Sequence, residues 1–146
     1  MNKSKSIEIL KICKWLSYMK IKNYTINDDF TVDVDGNVYI GFNNYQRSRI
    51  QKGPQLKRLT EIPIQFGIVT GTFHINDNNL NSLKGCPREV QANFFCSRNE
   101  NLKSLEGGPR EVHGSYYCTS VAGCKKFIFS RKHILDYCEV KGAIYV

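Results

Sequence analysis

Apolar and small residues alternate with polar ones in five short stretches of the chain. The pattern apolar-x-small-x-apolar-x-apolar runs through Val34, Gly36, Val38 and Ile40, then through Val69, Gly71, Phe73 and Ile75. It returns as Val90, Ala92, Phe94 and Cys96, as Val112, Gly114, Tyr116 and Cys118, and as Val140, Gly142, Ile144 and Val146. A period of two marks a strand with one buried face. The copies begin at 34, 69, 90, 112 and 140, and are therefore separated by 35, 21, 22 and 28 residues. Strands recurring at this interval predict that each returns to lie beside the last, building a parallel sheet coil by coil.

The segments between the strands repeat as well. Leu80, Leu83, Gly85, Pro87, Arg88, Glu89 and Val90 recur 22 residues later as Leu102, Leu105, Gly107, Pro109, Arg110, Glu111 and Val112. An earlier copy starts at Leu59, Ile62 and Pro63. After the strands, Val38-x-Ile40-x-x-Asn43-x-Tyr45 and Phe73-x-Ile75-x-x-Asn78-x-Leu80 fit the leucine-rich-repeat pattern, and Asn99 fits with one extra residue before Leu102. Where a chain turns inward after a strand, backbone groups lose their ladder partners, and a buried Asn amide supplies both a donor and an acceptor. The fourth copy has Val121 at that position, so its turn must be built differently.

The repeat Leu-x-Ser-Leu-x-Gly-x-Pro-x-x-Val-x-Gly-x-Phe-x-Cys-x-x-Asn resembles that of short leucine-rich-repeat-like proteins of tailed bacteriophages and bacteria. The close match covers residues 59–121, and looser copies extend it over about 34–146. The resemblance implies a phage or bacterial cytosolic protein that binds a partner, and it transfers no catalytic residue. The expected architecture is an α/β-solenoid, leucine-rich-repeat-like, of about five coils forming one parallel sheet. It forms a single domain over 1–146, with residues 1–25 as an N-terminal cap and 26–146 as the repeat.

A stack of this kind needs its ends covered. Ile9, Ile12, Cys13, Leu16 and Met19 fall at helical spacing with Trp15 beside them, while Lys11 and Lys14 mark a solvated side, so residues 6–20 read as a capping helix. A basic amphipathic helix that lies on a membrane or a partner is the competing reading. Near the other end, Ser130 precedes Arg131–Cys138 as the N-cap of a short helix. The last strand, ending at Val146, reads as a sheet edge, with Lys141 placed to discourage further pairing.

Composition narrows the class. Of 146 residues, 41% are hydrophobic and 12% aromatic, enough for a core and incompatible with a disordered tail. No apolar run approaches the ~20 residues that cross a bilayer. Glu8, Lys11 and Lys14 interrupt the N-terminal apolar stretch, which argues against a signal peptide. The expectation is a basic, cytoplasmic protein of net charge +8 that does not engage a membrane.

Six cysteines invite a metal or redox reading, but Cys96 and Cys118 replace core hydrophobes, Cys86 aligns with Gly108 in a turn, and Cys13 lies on the helix's apolar side. Cys124 and Cys138 lack metal-ligand spacing, so neither a metal nor another cofactor is expected. Without a secretory signal, disulfides are not expected either. His74 and His113 read as outward-facing surface residues, and no nucleophile–base–orienter set assembles from equivalent positions, so no enzyme is expected.

The residues between the buried positions form three columns on the outer face. One is Tyr39, His74, Phe95, Tyr117 and Tyr145; the next is Asn37, Thr72, Asn93, Ser115 and Ala143; the third is Asp35, Thr70, Gln91, His113 and Lys141. Five ring-bearing residues flanked by small hydrogen-bonders have the composition of a binding surface. An aromatic ladder also stabilises a sheet by itself, and the N-terminal helix or a second copy of the chain would also cover such a face. Basic residues form a second feature. Arg47, Arg49, Lys52, Lys57 and Arg58 crowd the first long connection, and Lys125, Lys126, Arg131 and Lys132 the last. Beside an aromatic face they suit single-stranded nucleic acid, or they attract an acidic protein.

The expected function is non-catalytic protein binding through Tyr39, His74, Phe95, Tyr117, Tyr145, Asn93 and His113, as a phage factor that engages or inhibits a host defence protein. The alternative is nucleic-acid binding through Arg47, Arg49, Lys52, Arg58, Lys125, Lys126 and Arg131. On the binding reading, Phe95→Ala and Tyr117→Ala leave thermal stability nearly intact.

Overall fold

The computed structural model describes residues 2–40, 58–120 and 129–146. The chain opens with helix α1 (Lys3–Tyr18), whose first turn is closed by the Asn2 side chain accepting the Lys5 N–H at 2.8 Å. The helix ends where Lys20 takes a left-handed φ of 60°. There the Ile21 N–H reaches the Leu16 carbonyl and the Lys20 N–H that of Ser17, a Schellman closure built without glycine. Ile12, Leu16 and Met19 are buried, and the Trp15 ring meets Phe66 edge-on at 6.2 Å. The apolar spacing therefore covers the core as expected, while the helix begins three residues earlier than its apolar periodicity, because Asn2 caps it.

Strands β1 (Tyr24–Ile26) and β2 (Thr31–Val34) then form an antiparallel hairpin that the alternation did not predict. Its turn is held by Asp29, whose Oδ1 accepts from both the backbone N–H and the hydroxyl of Thr31. Those bonds hold the Asp29 carboxyl below the usual carboxylate range.

Each alternating stretch forms two short strands rather than one. They are β2 and β3 (Val38–Tyr39), β4 (Gln65–Val69) and β5 (Phe73–His74), β6 (Glu89–Val90) and β7 (Phe94–Phe95), β8 (Glu111–Val112) and β9 (Tyr116–Tyr117), and β10 (Glu139–Val140) and β11 (Ile144–Tyr145). The first members form a six-stranded sheet in the order β1-β2-β4-β6-β8-β10, parallel throughout except for β1. The second members form a five-stranded parallel sheet, β3-β5-β7-β9-β11. The expectation of one parallel sheet is thus corrected to two, divided at the small position of each pattern. That position is small because successive pairs approach closest there. A Cβ on Gly71 would sit 2.5 Å from the Gly36 carbonyl oxygen, and one on Gly114 would sit 2.6 Å from that of Ala92.

The register follows the sequence pattern. Val34, Val69, Val90, Val112 and Val140 pair in series across the first sheet; Val38, Phe73, Phe94, Tyr116 and Ile144 do so across the second. These side chains and Ile40, Ile75, Cys96 and Cys118 build the core, which Leu80, Leu83, Leu102 and Leu105 close from the connecting segments. Val140 and Ile144, in the last pair, are half-buried.

The turns after β5 and β7 are organised by Asn78 and Asn99, 1% and 7% exposed. Asn78 donates to the carbonyls of Ile40 and Ile75 and accepts the Leu59 N–H at 2.9 Å. Asn99 donates to Ile75 and Cys96 and accepts the Leu80 N–H. The inferred role of the repeated Asn holds at both; Asn43 and Val121 lie outside the described residues. Helix α2 (Arg131–Tyr137) starts at Ser130 as expected, with a capping box in which Ser130 and His133 satisfy each other's backbone N–H. Only Ile134 of α2 is fully buried. Among the described residues, the architecture is an α/β fold of two parallel-dominated sheets and two helices.

Candidate functional site

The aromatic column exists and follows the second sheet. Tyr39 and His74 have ring centroids 5.8 Å apart, and His74 and Phe95 are 5.2 Å apart, both tilted. Phe95 and Tyr117 are 4.2 Å apart at 8°, and Tyr117 and Tyr145 4.5 Å apart at 9°. In-register parallel pairing brings the second residue of every strand of this sheet to one line, so the stack is a direct product of the repeat interval.

The column is not uniform. His74 is 8% exposed, which corrects its reading as a surface histidine. Burial pushes its pKa down to about 4, against the opposing pull of Asp77, and Arg98 lowers it further. Tyr39, Phe95 and Tyr117 are half-buried, and Tyr145 is 46% exposed. The stack is most exposed at its Tyr145 end.

The flanking polar column has a structural task. Asn37 Oδ1 accepts the Thr72 N–H, Asn93 Oδ1 the Ser115 N–H at 2.8 Å, and Ser115 Oγ the Ala143 N–H. Each side chain bridges one strand pair to the next, so Asn93 spends its acceptor within the fold instead of offering it to a partner. On the other side, Asn76 Oδ1 accepts the Ser97 N–H and Ser97 Oγ the Thr119 N–H. His113 lies away from the rings, just after β8 of the first sheet, and its Nε2 is 2.8 Å from Glu89 Oε1.

The basic candidates are described only in part. Arg47, Arg49, Lys52, Lys57, Lys125 and Lys126 lie outside the described residues. Arg58 is exposed, and Arg131 is exposed at the first residue of α2.

The sequence reading missed an ion pair beside the column. Arg98 grips Asp77 through both nitrogens, Nε to Oδ1 at 2.6 Å and Nη2 to Oδ2 at 2.8 Å. Both residues take left-handed backbone, φ 60° and 56°, three residues beyond His74 and Phe95. Their separation of 21 residues is the repeat interval itself, which is the signal that could have found them.

The described cysteines pack as core residues, and Cys124 lies outside the described residues. Cys86, Cys96, Cys118 and Cys138 are buried as free thiols, and Cys13 is half-buried. Burial pushes the Cys96 thiol well up, helped by Cys118 beside it, and pushes Cys138 up to about 12. Thiols so held are poor nucleophiles. Among the described residues, no helix is long and apolar enough to cross a membrane.

Comparison of this chain with family models, with curated proteins and with solved structures finds no match.

Proposed function

We propose that the chain is a leucine-rich-repeat-like α/β-solenoid of about five coils that serves as a non-catalytic protein-binding module, with Phe95, Tyr117 and Tyr145 at the centre of its contact surface. The observation that supports this reading is the stack of these three rings, spaced 4.2 and 4.5 Å apart, half-buried at Phe95 and Tyr117 and exposed at Tyr145. Rigid aromatic edges, with hydroxyls at the tips of Tyr117 and Tyr145, offer large contact area at low entropic cost. The narrower role, a phage-encoded factor that engages or inhibits a host defence protein, rests on the resemblance of the repeat.

The same geometry counts against nucleic-acid binding through this column. Base recognition on aromatic platforms needs a free ring face. Both faces of Tyr117 are covered, by Phe95 and Tyr145, and those of Phe95 by Tyr117 and His74. Phe95 and Tyr117 therefore present edges, which suit protein contacts better than stacked bases.

Affinity capture from bacterial lysate, with and without nuclease, tests the reading. A stoichiometric protein that survives nuclease and is lost with Tyr145→Ala supports it. Capture of nucleic acid alone, released by salt, replaces it with the alternative.

A further inference from the structure

We propose that Glu89, Glu111 and His113 form a binding site for a divalent transition-metal cation of the zinc class on the outer face of the first sheet.

The site is assembled by strand register. Glu89 in β6 and Glu111 in β8 are direct partners in a parallel pair, which sets two like charges side by side, an arrangement that is destabilising unless compensated. Glu139 in β10 pairs with Glu111 on its other side and extends the row of carboxylates. His113 stands two residues after Glu111, on the same face by strand parity. Its Nε2 lies 2.8 Å from Glu89 Oε1 and 3.3 Å from Glu111 Oε1, and the three donor atoms fall within 4.8 Å of one another. Metal–ligand bonds of about 2.0–2.2 Å place neighbouring donors roughly 3–3.5 Å apart, close to these separations.

Two carboxylates alone would make a solvated acidic patch. The imidazole nitrogen aimed between them changes the donor set to one nitrogen and two oxygens, which suits borderline divalent ions, and two carboxylates neutralise the double charge. All three side chains are half-buried, so part of their hydration is already lost. Among the described residues, the only basic group within ion-pair distance of Glu89 is His113, a cation only when protonated. Glu111 has a competitor for the metal, because Lys141 Nζ sits 3.1 Å from its Oε1. The donors come from two strand pairs, 22 and 2 residues apart in sequence, so no local motif announces them.

Cobalt(II) titration of the full chain, followed by absorbance, tests the proposal, because cobalt reports whether sulfur is among its ligands. The expected result is one equivalent bound with ligand-field bands and no sulfur-to-cobalt charge-transfer band, and competed by zinc. Glu89→Gln and His113→Ala should each weaken binding at least about tenfold. Lys141→Met should tighten it, a gain that misfolding does not produce. No binding, a sulfur band, or affinities indifferent to all three substitutions would overturn the proposal.

Discussion

A carboxamide donates two hydrogen bonds and accepts others without carrying charge, so it can close a buried turn in a way no apolar or ionised side chain can. Asn99 uses this capacity fully, with Nδ2 at 3.0 Å from the Ile75 carbonyl and 3.1 Å from that of Cys96, and Oδ1 receiving the Leu80 N–H. Asn99→Ala leaves those groups buried and unpaired, and should lower unfolding stability by about 3 kcal/mol. Asn101→Ala, two residues on and exposed, should stay within about 0.5 kcal/mol. Urea denaturation of both variants checks the contrast. The asparagine role was legible because its spacing after the strand is fixed by the repeat. The burial of His74 was not. Strand parity says which face a side chain takes, but not that the rings of Tyr39 and Phe95 will close over it.

At the scale of elements, two-residue strands have almost no stability of their own; they persist because each pairs within its own sheet and carries side-chain columns inside and out. Inside, Phe66, Phe73, Phe94 and Tyr116 form a run of ring contacts at 5.1, 6.0 and 4.9 Å. Outside, Tyr117 stacks on two rings at once. Tyr117→Ala removes both stacks and should cost about 1–3 kcal/mol, whereas Tyr117→Phe keeps them and should cost little. Thermal melts of the pair check this, and a loss in the alanine variant would revise the expectation that this face can be truncated freely. The phenylalanine variant is therefore the cleaner probe of whether the hydroxyl meets a partner. Helix α1 gives a parallel contrast: Leu16→Ala opens the sealed interface with the core and should cost about 3 kcal/mol, while Leu10→Ala, 58% exposed, should be nearly silent. The helix and the inward residues could be read from periodicity. The division of each stretch into two strands could not, because a period of two continues unchanged across the bend at Gly71 or Gly114. The hairpin of β1 was also hidden, since Tyr24–Ile26 carries too few residues to show alternation.

For the whole molecule, the response to acid follows from which groups the fold refuses to protonate. His74 is held neutral by burial, with its pKa near 4 against an ordinary value of 6.5. Between those values the unfolded chain takes up a proton that the folded chain does not, so stability rises with pH across that window. The contribution of the neutral imidazole is complete above pH 6.5, declines as pH falls, and is exhausted near pH 4, where both states are protonated. The full difference amounts to about 3 kcal/mol. Asp29, with its carboxyl lowered by Thr31, also loses stability in acid, but only as pH falls through the carboxylate range, below most of this window. The two can be separated by substitution. His74→Phe keeps a ring between Tyr39 and Phe95 and removes the titration, so the wild-type minus variant difference in urea stability should change by about 3 kcal/mol between pH 7 and pH 4. A difference that stays flat over that interval would mean that His74 opens to solvent before it protonates. The ring column would then be loose at its centre, and the rigid surface proposed for Phe95, Tyr117 and Tyr145 would lose its support from that side.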